Sequence, residues 1–193
     1  MPSLTALKGK LKGVYYGWWV LFATFLLGVI SGGVFSHSNS IFFGPIRQEL
    51  RLSSTQTSLI FSLARAEGSI AGPIVGPLVD RFGARPMIIF GGLIASLGFI
   101  LLHWVDSYWV FLLIYLGIVS TGKSAGLGQT LLSAVNRWFV RRRSLAMSIC
   151  ITGFSSGGAF ILPLITLGVH TIGWRDVMLY SGIFMALVVV PLG

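Results

Sequence analysis

The sequence predicts an all-α membrane protein, a single bundle of six transmembrane helices, and three observations carry that expectation. Only 10% of the 193 residues are charged and 54% are apolar, whereas an ordinary soluble domain is about 25% charged. The mean hydropathy is +0.86, too high for a chain that must coat itself with polar surface. The apolar residues also fall in continuous runs rather than the alternating pattern of barrel strands, which leaves helices as the only spanning structure. An aromatic content of 13% excludes a disordered chain. A lone cysteine, Cys150, excludes a disulfide scaffold.

Charge-free stretches place the spans, each of which needs about 20 mostly apolar residues. Val14 to Ile46 holds the first, Pro86 to Val105 the third, Ser144 to Trp174 the fifth and Val177 to Gly193 the sixth. The second and fourth, Thr55 to Val79 and Tyr108 to Val135, are interrupted by charge near their middles. Ser53 and Gln56 have capping-box spacing before the second span, and Asp106 with Ser107 is placed to cap the fourth. Pro45 and Pro86 mark expected loops after span one and before span three. The division is thus a short segment, residues 1–13, followed by one bundle over 14–193.

The loop charges predict orientation. Lys8, Lys10, Lys12, Arg81, Arg85, Arg137, Arg141, Arg142 and Arg143 fall on one side, and only Arg47, Arg51 and Arg175 on the other. The positive-inside rule puts the first group, with the N-terminus, in the cytoplasm of a multi-pass plasma or inner membrane protein. The first apolar run is longer than that of a secretory signal and ends without a small-residue cleavage site, so it reads as a retained helix. With a net charge of +9, a soluble protein would suggest nucleic acid. Here the cations lie between apolar runs, and anionic lipid headgroups are the expected partner instead.

Three charges fall at the expected midplane: Arg65 and Glu67 in span two, and Lys123 in span four. An intramembrane charge costs at least about 2.5 kcal/mol, so each needs a partner or a watery cavity. Arg65 and Glu67 lie about 200° apart around a helix and do not pair with each other. Glu67 with Lys123 is one candidate inter-helix pair. The residues leave two readings open, a tie between helices or the lining of a substrate or proton path. His37 and Asn39 belong to a polar run in span one and are candidates for a cavity wall, with an interhelical hydrogen bond as the alternative. Gly28, Gly32, Gly33, Gly153, Gly157 and Gly158 are expected to let helices approach closely.

Two enzyme patterns occur without their context. Gly117 to Ser124 matches the phosphate-binding loop, but it lies within an apolar helical stretch, and the only acid downstream is Asp176 at the opposite face. Gly153-Phe154-Ser155-Ser156-Gly157 matches the nucleophile elbow. An intramembrane serine protease would also need a histidine beside Ser155, and His37, His103 and His170 are all badly placed for it. The expectation is therefore a non-enzyme with no metal and no cofactor.

The segment Gly76-Pro77-Leu78-Val79-Asp80-Arg81-Phe82-Gly83-Ala84-Arg85 joins spans two and three and resembles the signature loop of the major facilitator superfamily. Ala84 departs from that pattern, where a second basic residue is common. Asp80 at a helix C-terminus is disfavoured by the helix dipole and wants cations from Arg81, Arg85, Arg137 or Arg141 to Arg143. Gly76 would allow close helix contact and Gly83 a sharp turn. A cluster of this kind that must break for helices to part is a latch.

Tyr16-Gly17-Trp18-Trp19, then Trp138-Phe139 with Arg142-Arg143 and Leu145-Ala146, and finally Gly173-Trp174-Arg175 resemble the monocarboxylate and oxalate–formate branch of that superfamily. The resemblance implies one half, a 3+3 repeat, of a twelve-helix secondary transporter that works by alternating access, as symporter or antiporter. It implies a small organic anion as substrate, a proton or counter-anion as coupled species, and a midplane site that agrees with the depth of Lys123, Arg65 and Glu67; His37 and Asn39 join them as candidate substrate contacts from the polar run. The missing partner is then a C-terminal six-helix half or a second copy in a homodimer.

Overall fold

Six helical rods follow one another in the computed structural model, which describes residues 16–139 and 142–193. Lys8, Lys10, Lys12 and Arg141 lie outside the described residues. The first rod joins α1 (Tyr16–Ser31), a π-helical segment (Gly32–His37) and α2 (Asn39–Glu49). The second is α3 (Ser54–Phe82), and the third is α4 (Ala84–Leu101) with a short 3₁₀ end at Leu102–Trp104. The fourth joins α5 (Tyr108–Ile114), π segments at Tyr115–Ser120 and Lys123–Gly128, and α6 (Gln129–Trp138). α7 (Arg143–Ile172) and α8 (Trp174–Leu192) complete the bundle.

Five rods are long and apolar enough to cross a membrane: 17–49, 84–104, 108–138, 143–172 and 174–192. The expected six spans are met by five on that ground. α3 has the length, at 29 residues, but Ser62, Arg65, Glu67 and Ser69 make its middle too polar. The capping box that starts α3 forms as expected: Gln56 N donates to Ser53 Oγ (3.1 Å) and Ser53 N to Gln56 Oε1 (2.9 Å). Three expectations fail. Pro45 lies inside α2 rather than in a loop, as membrane helices allow. Pro86 sits in the first turn of α4, where its missing N–H is no loss. Ser107 precedes α5 without a side-chain cap bond, because Asp106 is drawn instead to Arg175.

The first rod packs on α7, α4 packs on α8, and the fourth rod lies against α3, α4 and α1. Glycine makes the first seam possible. A Cβ on Gly32 would sit 2.0 Å from the Phe154 carbonyl oxygen, and one on Gly157 would sit 2.2 Å from that of Val29. Phe35, Phe42, Phe99 and Phe111 fill the interior beside these seams. On the outside, α4 and α8 expose Phe90, Leu97, Phe184 and Leu187, and α7 exposes Phe160, Leu164 and Leu167.

The turns after α3 and α7 are the same. Gly83 has φ 92° and ψ 157°, Gly173 φ 90° and ψ 161°, a left-handed backbone that costs a side chain strain. The expected sharp turn at Gly83 is therefore present.

The π segments share one closing device. In each, a hydroxyl five residues downstream donates to a carbonyl of the widened turn: Ser38 to Gly33, Thr121 to Leu116 (3.2 Å) and Thr130 to Ala125. A carbonyl displaced from the regular ladder inside lipid needs such a donor.

Candidate functional site

Two of the three mid-depth charges meet at a narrow point among the first, second and fourth rods. A cavity of about 410 Å³ lies between α2 and α3, lined by Asn39, Ser40, Phe43, Ser58, Phe61, Ser62 and Arg65. A much smaller one, about 30 Å³, continues from it past Asn39, Phe61 and Arg65 to Tyr115, Ser120, Lys123 and Phe35. The two share Asn39, Phe61 and Arg65. The space is thus a vestibule that opens on the face away from Tyr16 and narrows to a neck between Arg65 and Lys123.

The π segments decide which side chains reach the neck. Phe35 comes from the first, Tyr115 and Ser120 from the second, Lys123 from the third; such wide turns are frequent where helices build sites. Tyr115 OH donates to Asn39 Oδ1 at 3.0 Å, tying the fourth rod to the first. Its ring stacks on Phe111 and meets Phe61 edge-on, with centroids 5.8 and 5.5 Å away. Lys123 Nζ lies 5.8 Å from the centroid of the Phe35 ring, a cation–π contact that steadies an ammonium without neutralising it.

The candidate Glu67–Lys123 pair does not form among the described residues. Glu67 Oε2 instead accepts from the hydroxyls of Ser120 and Ser124 (3.2 Å to the latter). The reason is angular. Ser120 and Ser124 are four apart and face α3 together, whereas Lys123 is turned about 100° from Ser124, toward the first rod. Glu67 is thus held by neutral donors and Lys123 by an aromatic face.

His37 stands apart from this neck: it is exposed and its ring lies against Gly158 on α7, where a Cβ would meet it at 3.0 Å. Ser155 donates to the Ile151 carbonyl of its own helix at 3.4 Å, and the stretch Gly117 to Ser124 is helical with no strand before it. At the other end of α3, Asp80, Arg81 and Arg85 are exposed. The expected latch is not closed here, since Asp80 makes no ion pair among the described residues. Gly76 makes no close helix contact either; a Cβ there would find no atom within 4 Å. Both face outward because α3 turns that side away from its own bundle, beside an apolar groove of about 550 Å³ between Ile70, Ile74, Leu78 and Leu116.

A second polar cluster escaped the sequence reading. Arg175 donates to Glu49 (2.6 Å), Asp106 (2.8 Å) and the His103 carbonyl (2.9 Å), its guanidinium lying over the Trp174 ring. Trp174 Nε1 donates to Glu49 as well, and His103 Nδ1 is 3.5 Å from Asp176. This knot joins the three loops of the face away from Tyr16. Only Gly173-Trp174-Arg175 pointed toward it, because pairing across more than 60 residues leaves no local pattern. Arg175→Ala is expected to cost about 2 kcal/mol of stability, the scale of charged hydrogen bonds at a partly exposed site. The thermal midpoint of the purified protein checks this; an unchanged midpoint would mean that the three loops hold without the knot.

Five helices of membrane-spanning length and composition, packed around a polar, charge-lined vestibule, are the architecture of an integral membrane protein. The chain belongs to the Major Facilitator Superfamily, whose sequence profile matches residues 20–193. Among its relatives it is 33% identical over 172 residues to Monocarboxylate transporter 11 of Homo sapiens and to Monocarboxylate transporter 4 of Gallus gallus, covering 86% of this chain and 35% of each relative. It is 28% identical to Monocarboxylate transporter 13 of Bos taurus, covering 85% of this chain and 38% of that protein. The chain therefore spans little more than a third of the length of these relatives.

Proposed function

We propose that the chain is the N-terminal six-helix half of a secondary transporter that carries small monocarboxylates by alternating access. The observation that carries the reading is the neck of the vestibule, which Arg65 and Lys123 both line, with no ion pair to a carboxylate at either among the described residues. A carboxylate entering from the open face would find two cations, with Asn39 and Tyr115 beside them. Aromatic walls at Phe61 and Phe35 suit the apolar end of such a substrate. Glu67, held only by hydroxyls, is the proton site in a symport reading. His37 is the weakest member of this set, since it lies outside both cavities.

The architecture follows from the same reading. α3 is the sixth span: 29 residues reach about 43 Å, beyond the roughly 30 Å of hydrocarbon, and Ser62 and Arg65 of its polar middle face the vestibule. Gly68, Pro73, Gly83 and Arg85 recur 90 positions later as Gly158, Pro163, Gly173 and Arg175, which supports a 3+3 repeat of rods one to three and four to six. The N-terminal face is cytoplasmic on the positive-inside rule. The unfilled groove on α3, with Gly76 and Asp80 at its end, then receives the other six-helix unit, and the Asp80-Arg81-Gly83-Arg85 loop closes as the gate.

Uptake of a radiolabelled short monocarboxylate into vesicles containing the transporter that carries this sequence tests the reading. Saturable uptake competed by other monocarboxylates is expected; uptake indifferent to them would overturn it. Asp80→Asn is expected to lower the maximal exchange rate by about tenfold with KM nearly constant, as for a conformational step. A pure rise in KM would count against the gate.

A further inference from the structure

We propose that the Tyr115 hydroxyl is itself a ligand for the substrate carboxylate, and that Asn39 Oδ1 fills the place of one substrate oxygen until the substrate arrives. The inference deepens the transport reading above and rests on it. Tyr115 OH donates to Asn39 Oδ1 at 3.0 Å, and both residues line the neck. The neck measures about 30 Å³, room for about two waters and none for a carboxylate with its α-carbon. A substrate that reaches Lys123 from the 410 Å³ vestibule must therefore part the walls. Asn39 stands at the boundary, because it lines both spaces.

The lining of the neck offers two hydroxyls, Tyr115 and Ser120, and they differ in what they already hold. Ser120 donates to the Glu67 carboxylate and to the Ala64 carbonyl (3.2 Å). An entering carboxylate is no better an acceptor than the one in place there. Tyr115 donates to a neutral amide oxygen, and a hydrogen bond to an ionised acceptor is about twice as strong as a neutral one. The exchange at Tyr115 is thus downhill for a carboxylate and not for a neutral amide of the same shape.

The two partners of this bond are also held differently. The Tyr115 side is fixed: the residue is 5% exposed, and its ring is stacked on Phe111 and met edge-on by Phe61. Phe111 in turn packs against Trp174, with centroids 6.2 Å apart, so the phenol is anchored as far as the Arg175 knot. Asn39 is only half-buried and swings on two side-chain torsions. The acceptor moves away while the donor stays where it is. A donor fixed in advance loses little order when the substrate binds.

The transporter that carries this sequence is tested with propionate and with propionamide, its neutral isostere. Uptake into vesicles gives KM and kcat, and the rise in thermal midpoint of the purified protein gives binding without transport. Tyr115→Phe keeps the stacked ring and should raise the propionate KM about tenfold or more, with kcat within about twofold. Asn39→Ala removes the internal acceptor that propionate must displace, and should lower KM by about threefold. Opposite signs at the two ends of one hydrogen bond are what an exchange requires and a plain tie between rods does not give. Tyr108→Phe, outside the neck, should change neither value. An unchanged KM in Tyr115→Phe, a KM not lowered in Asn39→Ala, or equal recognition of propionamide would each overturn the proposal. Should Tyr115→Phe fail to fold, the sign at Asn39→Ala decides alone. A parent that carries propionate while Tyr115→Phe matches it keeps the transport reading and loses the ligand. A parent that binds propionate through Tyr115 but carries none does the reverse, and one that neither binds nor carries it loses both.

Discussion

Lys123→Gln is expected to abolish the proposed carboxylate uptake while leaving a folded protein whose thermal midpoint is equal to or higher than that of the parent. The first half follows from the proposed neck: removing one cation from a desolvated charge contact costs about 2–5 kcal/mol of binding, a loss of thirtyfold or more. The second half follows from what Lys123 touches. Its recorded partner is the Phe35 ring, 5.8 Å away, a contact of about 0.5–2 kcal/mol. Keeping an ammonium at mid-depth costs at least about 2.5 kcal/mol, so its removal relieves more than it loses. On the proposed reading, Lys123 is retained against its own stability cost because it meets the substrate. Unchanged uptake would remove Lys123 from the site, and a lost midpoint together with lost uptake would make it a structural residue.

Gly157→Val is expected to prevent the bundle from assembling. A Cβ at this position would lie 2.2 Å from the Val29 carbonyl oxygen and 2.5 Å from the Gly33 nitrogen. Those neighbours are backbone atoms of the first rod, so no rotamer change relieves the clash and the two rods must part by about 1 Å. Separating a close-packed seam of this kind costs well over 3 kcal/mol. Monodisperse yield after purification is the measurement, and normal yield with a parental midpoint would contradict the seam. Gly76→Ala serves as the contrast: with no atom within 4 Å of its Cβ, it should leave the midpoint of the bundle unchanged.

Much of this fold is legible in one dimension because the bilayer simplifies the problem. Continuous apolar runs place the rods, and the capping box at Ser53 fixes the start of α3. Pro45 misled, since a proline that ends a helix in water can stay inside one in lipid. Asp106 misled for a different reason. It is a good local cap, but an arginine 69 residues away outcompetes the cap for its carboxylate.

At the vestibule the sequence identified the charged residues and misjudged their pairing. Arg65, Glu67 and Lys123 stand out because charge is costly in lipid, and no structure is needed to see it. Which of them meet depends on helix rotation. Three π segments set that rotation, and each is sustained by a single hydroxyl, at Ser38, Thr121 and Thr130. A serine or threonine in an apolar run is too common to announce such a turn beforehand.

By itself, then, the sequence determined the membrane class, the limits of the rods and the family, because hydropathy and short motifs are local and the bilayer penalises every exception. The tertiary structure alone decided that Glu67 turns to Ser120 and Ser124, that Lys123 lies over Phe35, and that Arg175 gathers three loops. Those contacts depend on the angle at which one rod presents its side chains to another, and a few degrees per turn, accumulated along a helix, are written in no single residue.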